Sequence, residues 1–122
     1  MNELHGRVPA RFICAVLVGG STNVVLCPDS TIMHVTGAVC WLNNASVDPA
    51  ACYVTINDVL YAGVFLTSGY GTNIQGNPII PTDIPVYPTE TIRASCDGDA
   101  SVTGQAIVWG YMTGNSSFPF SP

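Results

Sequence analysis

The chain has 122 residues, enough for one hydrophobic core and short for two ordinary domains. Three Arg stand against eight Asp and Glu, for a formal net charge of −5, although 48% of the residues are hydrophobic. Binding nucleic acid by counterion release needs several cations on one face, so three Arg exclude a substantial DNA or RNA footprint; anionic membranes are disfavoured for the same reason, and no run approaches the roughly 20 apolar residues that cross a bilayer.

Helix formers are scarce, with no Lys and only two Glu and two Gln, while Val, Ile, Thr, Tyr, Gly, Pro and Asn abound. That mixture predicts strands joined by tight turns. Residues 1–10, polar, broken by Gly6 and Pro9 and without periodicity, are expected to form an extended N-terminal arm. Residues 11–18 (RFICAVLV) are almost continuously apolar, which predicts a strand covered on both faces and ended by Gly19-Gly20-Ser21. A short strand at residues 23–27 meets the turn Pro28-Asp29-Ser30. Residues 31–42 then read as one long amphipathic strand, with Met33, Val35, Gly37, Val39 and Trp41 on an apolar face and His34 and Thr36 on the other. Gly37 in its middle marks a bulge or a close backbone approach.

After a polar loop at residues 43–51, Cys52, Val54 and Ile56 alternate with Tyr53 and Thr55, and Asn57-Asp58 predicts a hairpin into residues 59–66. Residues 67–77, with three Gly, predict a long loop, and residues 78–88, with four Pro, an extended edge or surface segment. In residues 89–96, Ile92, Ala94 and Cys96 point inward and Thr91, Arg93 and Ser95 outward. Asp97-Gly98-Asp99 predicts a second hairpin into residues 100–112, followed by an irregular Pro-rich tail at 113–122. The expected architecture is all-β, a single-domain antiparallel β-sandwich, jelly-roll-like, of about seven or eight strands spanning residues 11–112.

Cys14, Cys27, Cys40, Cys52 and Cys96 are odd in number, widely spaced and without a CxxC pair, so they are expected as reduced, small buried hydrophobes. The opening MNELHGRVPAR holds no apolar h-region, which predicts synthesis in the cytoplasm without a signal peptide.

Residue types for chemistry are thinly spread. His5 and His34 are the only imidazoles, neither with a local nucleophile signature, and Asp97-Gly98-Asp99 brings too few oxygens for calcium. Cys and His lack zinc spacing, and Gly69, Gly71 and Gly76 do not form a phosphate-binding loop. Asp83 and Glu90 would suit sugar chemistry only if folding brought them together. The expectation is a protein without catalytic, cofactor-binding or metal-ligating residues. Tyr70, Tyr87, Phe118 and Phe120 lie in irregular or proline-flanked segments and are the candidate interface aromatics. With so few charges, 28 Ser, Thr and Asn residues supply the polar surface, and part of the exterior is expected to lie against other subunits.

Three stretches, VVLCPDSTIMHVTGAVCWLNNAS, ACYVTINDVLY and YPTETIRASCDGDASVTGQAIVWGYM, carry a family resemblance. In order of parts they resemble the small jelly-roll virion proteins of tailed bacteriophages: capsid decoration (cement) proteins and related tail or fibre modules. Such proteins more often show Pro-Ala-Gly and Gly-Asp where this chain has Pro28-Asp29-Ser30 and Thr89-Glu90-Thr91. The resemblance implies a non-enzymatic virion component made in the host cytoplasm, homo-oligomeric and often trimeric, that binds the major capsid protein and stabilises the shell. A tail, fibre or adaptor module is its nearest alternative. A β-sandwich that binds host-surface glycan through Tyr70 and Tyr87 is the alternative from another class.

Overall fold

A computed structural model describes residues 7–45, 48–66, 71–76 and 83–114, with the side chains of residues 71–73 excepted. Within them lie nine strands: β1 (Val8–Val18), β2 (Ser21–Leu26), β3 (Thr31–Asn44), β4 (Ala50–Ile56), β5 (Val59–Leu66), β6 (Gly71–Gly76), β7 (Ile84–Val86), β8 (Thr91–Asp97) and β9 (Thr103–Gly114). They form two antiparallel sheets, one ordered β1-β9-β3-β6 with β7 also paired to β3, the other β2-β8-β4-β5. The pairs β1·β9, β2·β8, β3·β6/β7 and β4·β5 nest one inside the next and alternate between sheets, as in a ribbon of antiparallel pairs rolled into a barrel-like sandwich. The expected all-β sandwich with jelly-roll character is what forms.

Local chemistry accounts for the turns. Asn57 and Asp58 both take positive φ, 50° and 67°, in the two-residue connection between β4 and β5. This matches the hairpin turn whose twist suits flanking strands, and Asn and Asp tolerate that backbone region better than branched residues do. Ser30 takes φ 60° at the end of the Pro28-Asp29-Ser30 turn.

The core is the space between the sheets. β4 contributes Cys52, Val54 and Ile56, and β8 contributes Ile92, Ala94 and Cys96, all on the expected inward face. β9 opposes them with Ala106 and Val108. Cys27, Cys40, Cys52 and Cys96 are buried and unpaired and Cys14 is exposed, so the cysteines serve largely as the expected small hydrophobes.

Six expectations are corrected. β1 is not covered on both faces: it is an edge strand in which Ile13 and Leu17 enter the core while Cys14, Val16 and Val18 face outward. Because it lies on an edge, it also tolerates Pro9, and three residues assigned to the arm, Val8–Ala10, are strand. The glycine-rich stretch is not all loop, since β6 pairs with β3 along the sheet edge. β8 and β9 are not a hairpin: β8 pairs with β2 and β4, β9 with β1 and β3. The turn between them, where Gly98 sits at φ 140° and the Val102 amide donates to the Asp99 carbonyl at 3.1 Å, carries the chain from one sheet to the other. Both strands hide an alternating row, and opposing those rows across the interior buries more than placing them side by side in one sheet. Thr113 and Gly114, assigned to the tail, complete β9.

The sixth concerns the apolar face of β3. Gly37 sits at a bulge, as expected, where the register with β9 shifts between Val35 and Gly37. An extra residue in a period-two strand exchanges its faces. Met33 and Val35 point inward before the bulge, and Ala38, Cys40, Leu42 and Asn44 after it. Val39 and Trp41, assigned to the core face, are therefore turned to the outside of the sandwich.

Candidate interaction surface

The bulge has a functional consequence, because it places apolar side chains on the outer face of the β1-β9-β3 sheet. Register sets the rows across that face. Arg11, Trp109 and Gly37 lie side by side, then Cys14, Ile107 and Val39, then Val16, Gln105 and Trp41, then Val18, Thr103 and Asn43. Val16 is 77% exposed, Val18 52% and Trp109 41%. The Trp109 indole lies across Gly37: a Cβ at that glycine would come within 2.3 Å of Cζ2, so only glycine lets the ring lie flat there. These four rows carry no carboxylate, and Arg11 at one corner is their only full charge.

The outer face of the second sheet differs. There Thr22 hydrogen-bonds Ser95 across β2 and β8, Arg93 is exposed, and the Tyr53 phenol donates to Asp97 at 3.1 Å while its ring stacks on Phe65. Burial, then the bond to Asp97, pushes the Tyr53 phenol above its ordinary range. The second face thus interleaves its exposed Val24, Leu26 and Phe65 with polar and charged side chains, whereas the four rows of the first hold no carboxylate.

A polar cluster closes one end of the apolar face. His34 stacks on Tyr111 with ring centroids 4.4 Å apart and planes 7° from parallel, and the Arg7 guanidinium lies 4.5 Å from the Tyr111 centroid. The Tyr111 hydroxyl donates to Asp83, His34 Nδ1 lies 3.4 Å from the other Asp83 oxygen, and His34 Nε2 is 3.0 Å from the Thr113 hydroxyl. The bond to Asp83 pushes the Tyr111 phenol up and the Arg7 charge opposes it. Hydroxyl, imidazole and carboxylate stand in the order used for nucleophilic catalysis. The cluster, however, lies on an open sheet face, and its carboxylate, 44% exposed, is shared with a phenol. It joins β7, β3 and β9 and orients two rings. Sequence spacing gave no sign of it, because Asp83 comes from the proline-rich segment and Thr113 from the expected tail.

Of the four candidate aromatics, Tyr70, Phe118 and Phe120 lie outside the described residues. Tyr87 is described and is 49% exposed. It stands at the rim of a cleft of about 330 Å³ between the β4–β5 turn and β7, beside Asn57 and Glu90. Glu90 is held by the Tyr87 backbone amide at 2.9 Å on one oxygen and by the Asn57 amide group at 3.2 Å on the other. Asp83 and Glu90, considered together as possible sugar carboxylates, take separate roles, Asp83 in the ring cluster and Glu90 at the cleft. Between Tyr87 and Glu90, Thr89 is held at φ 74°, a strained setting for a β-branched residue that costs about 1–3 kcal/mol.

Tyr61 lines the same cleft. It is the extra residue of a second bulge, where Val54 faces Ala62 but Thr55 faces Leu60, and the bulge swings it out of the strand's alternation. Its side chain is 1% exposed, and its hydroxyl is buried without a hydrogen-bond partner. Burial, and next the charge of Asp83, raise that phenol above its usual range. A buried unpartnered hydroxyl costs about 1–3 kcal/mol. Among the described residues no group of three or more His, Cys, Asp or Glu side chains could hold a metal ion.

No protein-family model matches the chain, and comparison with curated proteins finds no match.

Proposed function

We propose that the chain is a non-enzymatic structural subunit that works by lying against copies of itself, and that its setting is a virion. Within that setting it is read as a capsid decoration, or cement, protein that binds the outer surface of the major capsid protein and stabilises the shell. A place in a tail, fibre or adaptor would use the same surface. The observation that carries the reading is the carboxylate-free, largely apolar outer face of β1, β9 and β3, with Val16 77% exposed at its edge strand.

The occupant of that face is a second copy. At a net charge of −5, two copies repel each other through most of their surface, yet this face carries no carboxylate in its four central rows. It is where like subunits meet at least electrostatic cost. Three strands about 4.8 Å apart and some ten residues long offer a footprint on the order of 500 Å². A stable interface uses about 800 Å² per partner, so one such contact is weak. Many copies on a symmetric shell supply the missing persistence through effective concentration. The rolled strand order and the buried, unpaired cysteines are in keeping with the resemblance to virion jelly rolls made in a reducing cytoplasm.

Sedimentation velocity across a concentration series is the direct test of self-association, with reversible oligomers expected at high concentration and a monomer throughout counting against the proposal. The virion setting is tested by the genes beside this one: capsid or tail genes are expected, and metabolic or secretory neighbours would overturn it.

A further inference from the structure

We propose that Cys40 and Cys52 are the two halves of a disulfide that joins the sheets of the sandwich when the chain folds, or opens, in an oxidising medium. The pair lies in the core, apart from the assembly face, and the inference does not rest on the proposed function.

The packing places the two thiols together. Cys40 on β3 and Cys52 on β4 belong to opposite sheets, are fully buried and carry free thiols. Sheets stacked at the usual spacing of about 10 Å keep facing Cβ atoms well apart. Here they close in: a Cβ at Gly104 of β9 would lie 3.2 Å from the Cys52 Cβ and 2.9 Å from its Sγ, and that Sγ is 3.8 Å from the Gln105 carbonyl oxygen. Cys40 is the diagonal neighbour of Gly104 across the ladder of β3 and β9, since Cys40 pairs with Ala106 and Leu42 with Gly104. The missing side chain at Gly104 leaves the room in which Cys52 reaches across, and the Cys40 thiol donates a hydrogen bond to the Cys52 sulfur. Close Cβ approach between elements and two sulfurs aimed at each other are what a disulfide requires.

That hydrogen bond also sets the order of reaction. Donating it, and then burial, raises the Cys40 thiol above its ordinary range, and accepting it lowers Cys52 against its burial. Cys52 is therefore the thiolate that attacks a small disulfide, oxidised glutathione, while the core is still forming or has opened locally. It displaces one glutathione and leaves a mixed disulfide. The Cys40 sulfur then attacks the Cys52 sulfur and expels the second glutathione. Each leaving glutathione carries off the proton that a protein thiol gave up, so two protein thiols and one glutathione disulfide become one protein disulfide and two glutathione thiols. Cys96, the register partner of Cys52 on β8, is the competing thiol, but a bond to it would join strands that their ladder already joins. The bond to Cys40 instead closes a loop of about a dozen residues and ties β3 to β4 across the core.

The experiment refolds the full, reduced chain in a buffer of reduced and oxidised glutathione, and separately incubates the folded, reduced protein in the same buffer. Free thiols are then alkylated in denaturant and the peptic peptides mapped without reduction. A Cys40–Cys52 bridge, with the loss of two hydrogen atoms, is expected in both samples, later in the second because the core must open. It is expected to raise the melting temperature by about 10 °C, a gain that dithiothreitol reverses. Cys40→Ala and Cys52→Ala should lose that gain and Cys14→Ser should keep it; the map of the unsubstituted chain decides the assignment even where a core variant fails to fold. A Cys52–Cys96 bridge, dimers linked through Cys14 with Cys40 and Cys52 both alkylated, or a Cys40–Cys52 bridge that lowers the melting temperature overturns the inference.

Discussion

Replacing Val16 by Asp tests the assembly face at its most exposed point. Val16 is 77% exposed in the isolated chain and sits on the outer side of the edge strand β1, beside Gln105 of β9. Full burial of a valine is worth about 1.5–3 kcal/mol, so covering this one gains about 2 kcal/mol. A twofold contact contains it twice, and losing both amounts to about 4 kcal/mol, close to a thousandfold in Kd. Because wild type and variant lose the same rigid-body freedom on association, that cost cancels in the comparison. The new carboxylate must also be desolvated, so the figure is a lower bound. Sedimentation velocity from micromolar to about millimolar protein is the assay, with Val24→Asp as control. Val24 is 49% exposed but lies on the outer face of the other sheet, opposite Arg93. The expected result is that Val16→Asp abolishes association and Val24→Asp leaves it intact. Equal effects of the two substitutions, or a wild type that never associates, would refute the reasoning.

Other predictions concern the fold. At Gly110 a Cβ would lie 1.7 Å from the His34 carbonyl oxygen, which is backbone and cannot swing aside, so Gly110→Ala should cost about 3 kcal/mol or more in urea unfolding. Thr89→Asn, which places a residue tolerant of left-handed backbone at φ 74°, should stabilise by about 1 kcal/mol; a loss of stability would show that the threonine is not strained. Stability should fall in alkali. Burial raises the Cys96 thiol from 9.0 to about 11, so between those values the unfolded chain has released a proton that the folded chain keeps. The contribution is therefore complete below pH 9 and lost towards pH 11, with Tyr53 and Tyr61 acting in the same direction. Urea midpoints measured from pH 8 to 11 should decline, and Cys96→Val should flatten the slope; an unchanged slope in that variant would assign the effect elsewhere.

Local signals in the chain were sufficient wherever neighbours in sequence decide the outcome. Alternation placed Ile92, Ala94 and Cys96 inside, and Asn57-Asp58 specified a hairpin, because a pleat repeats every two residues and a two-residue turn demands positive φ. Composition alone announced an all-β chain poor in charge. Four matters depended on what lies across the molecule. RFICAVLV is almost continuously apolar, and nothing local distinguishes a strand buried on both faces from an edge strand whose outer face is uncovered. Gly37 was legible as a bulge, but which side of β3 faced the core beyond it depended on the register with β9. Tyr61 resembled any other strand aromatic until its opposition to Thr55 and Val54 turned its hydroxyl into a dry space, and Asp83, Tyr111, His34 and Thr113 met only after rolling of the ribbon had brought three strands together. Period and turn chemistry act over a few residues, and the sequence by itself determined strands, turns and most inward positions. Sheet membership, register and the surface left uncovered are settled by long-range burial, which only the tertiary structure decides.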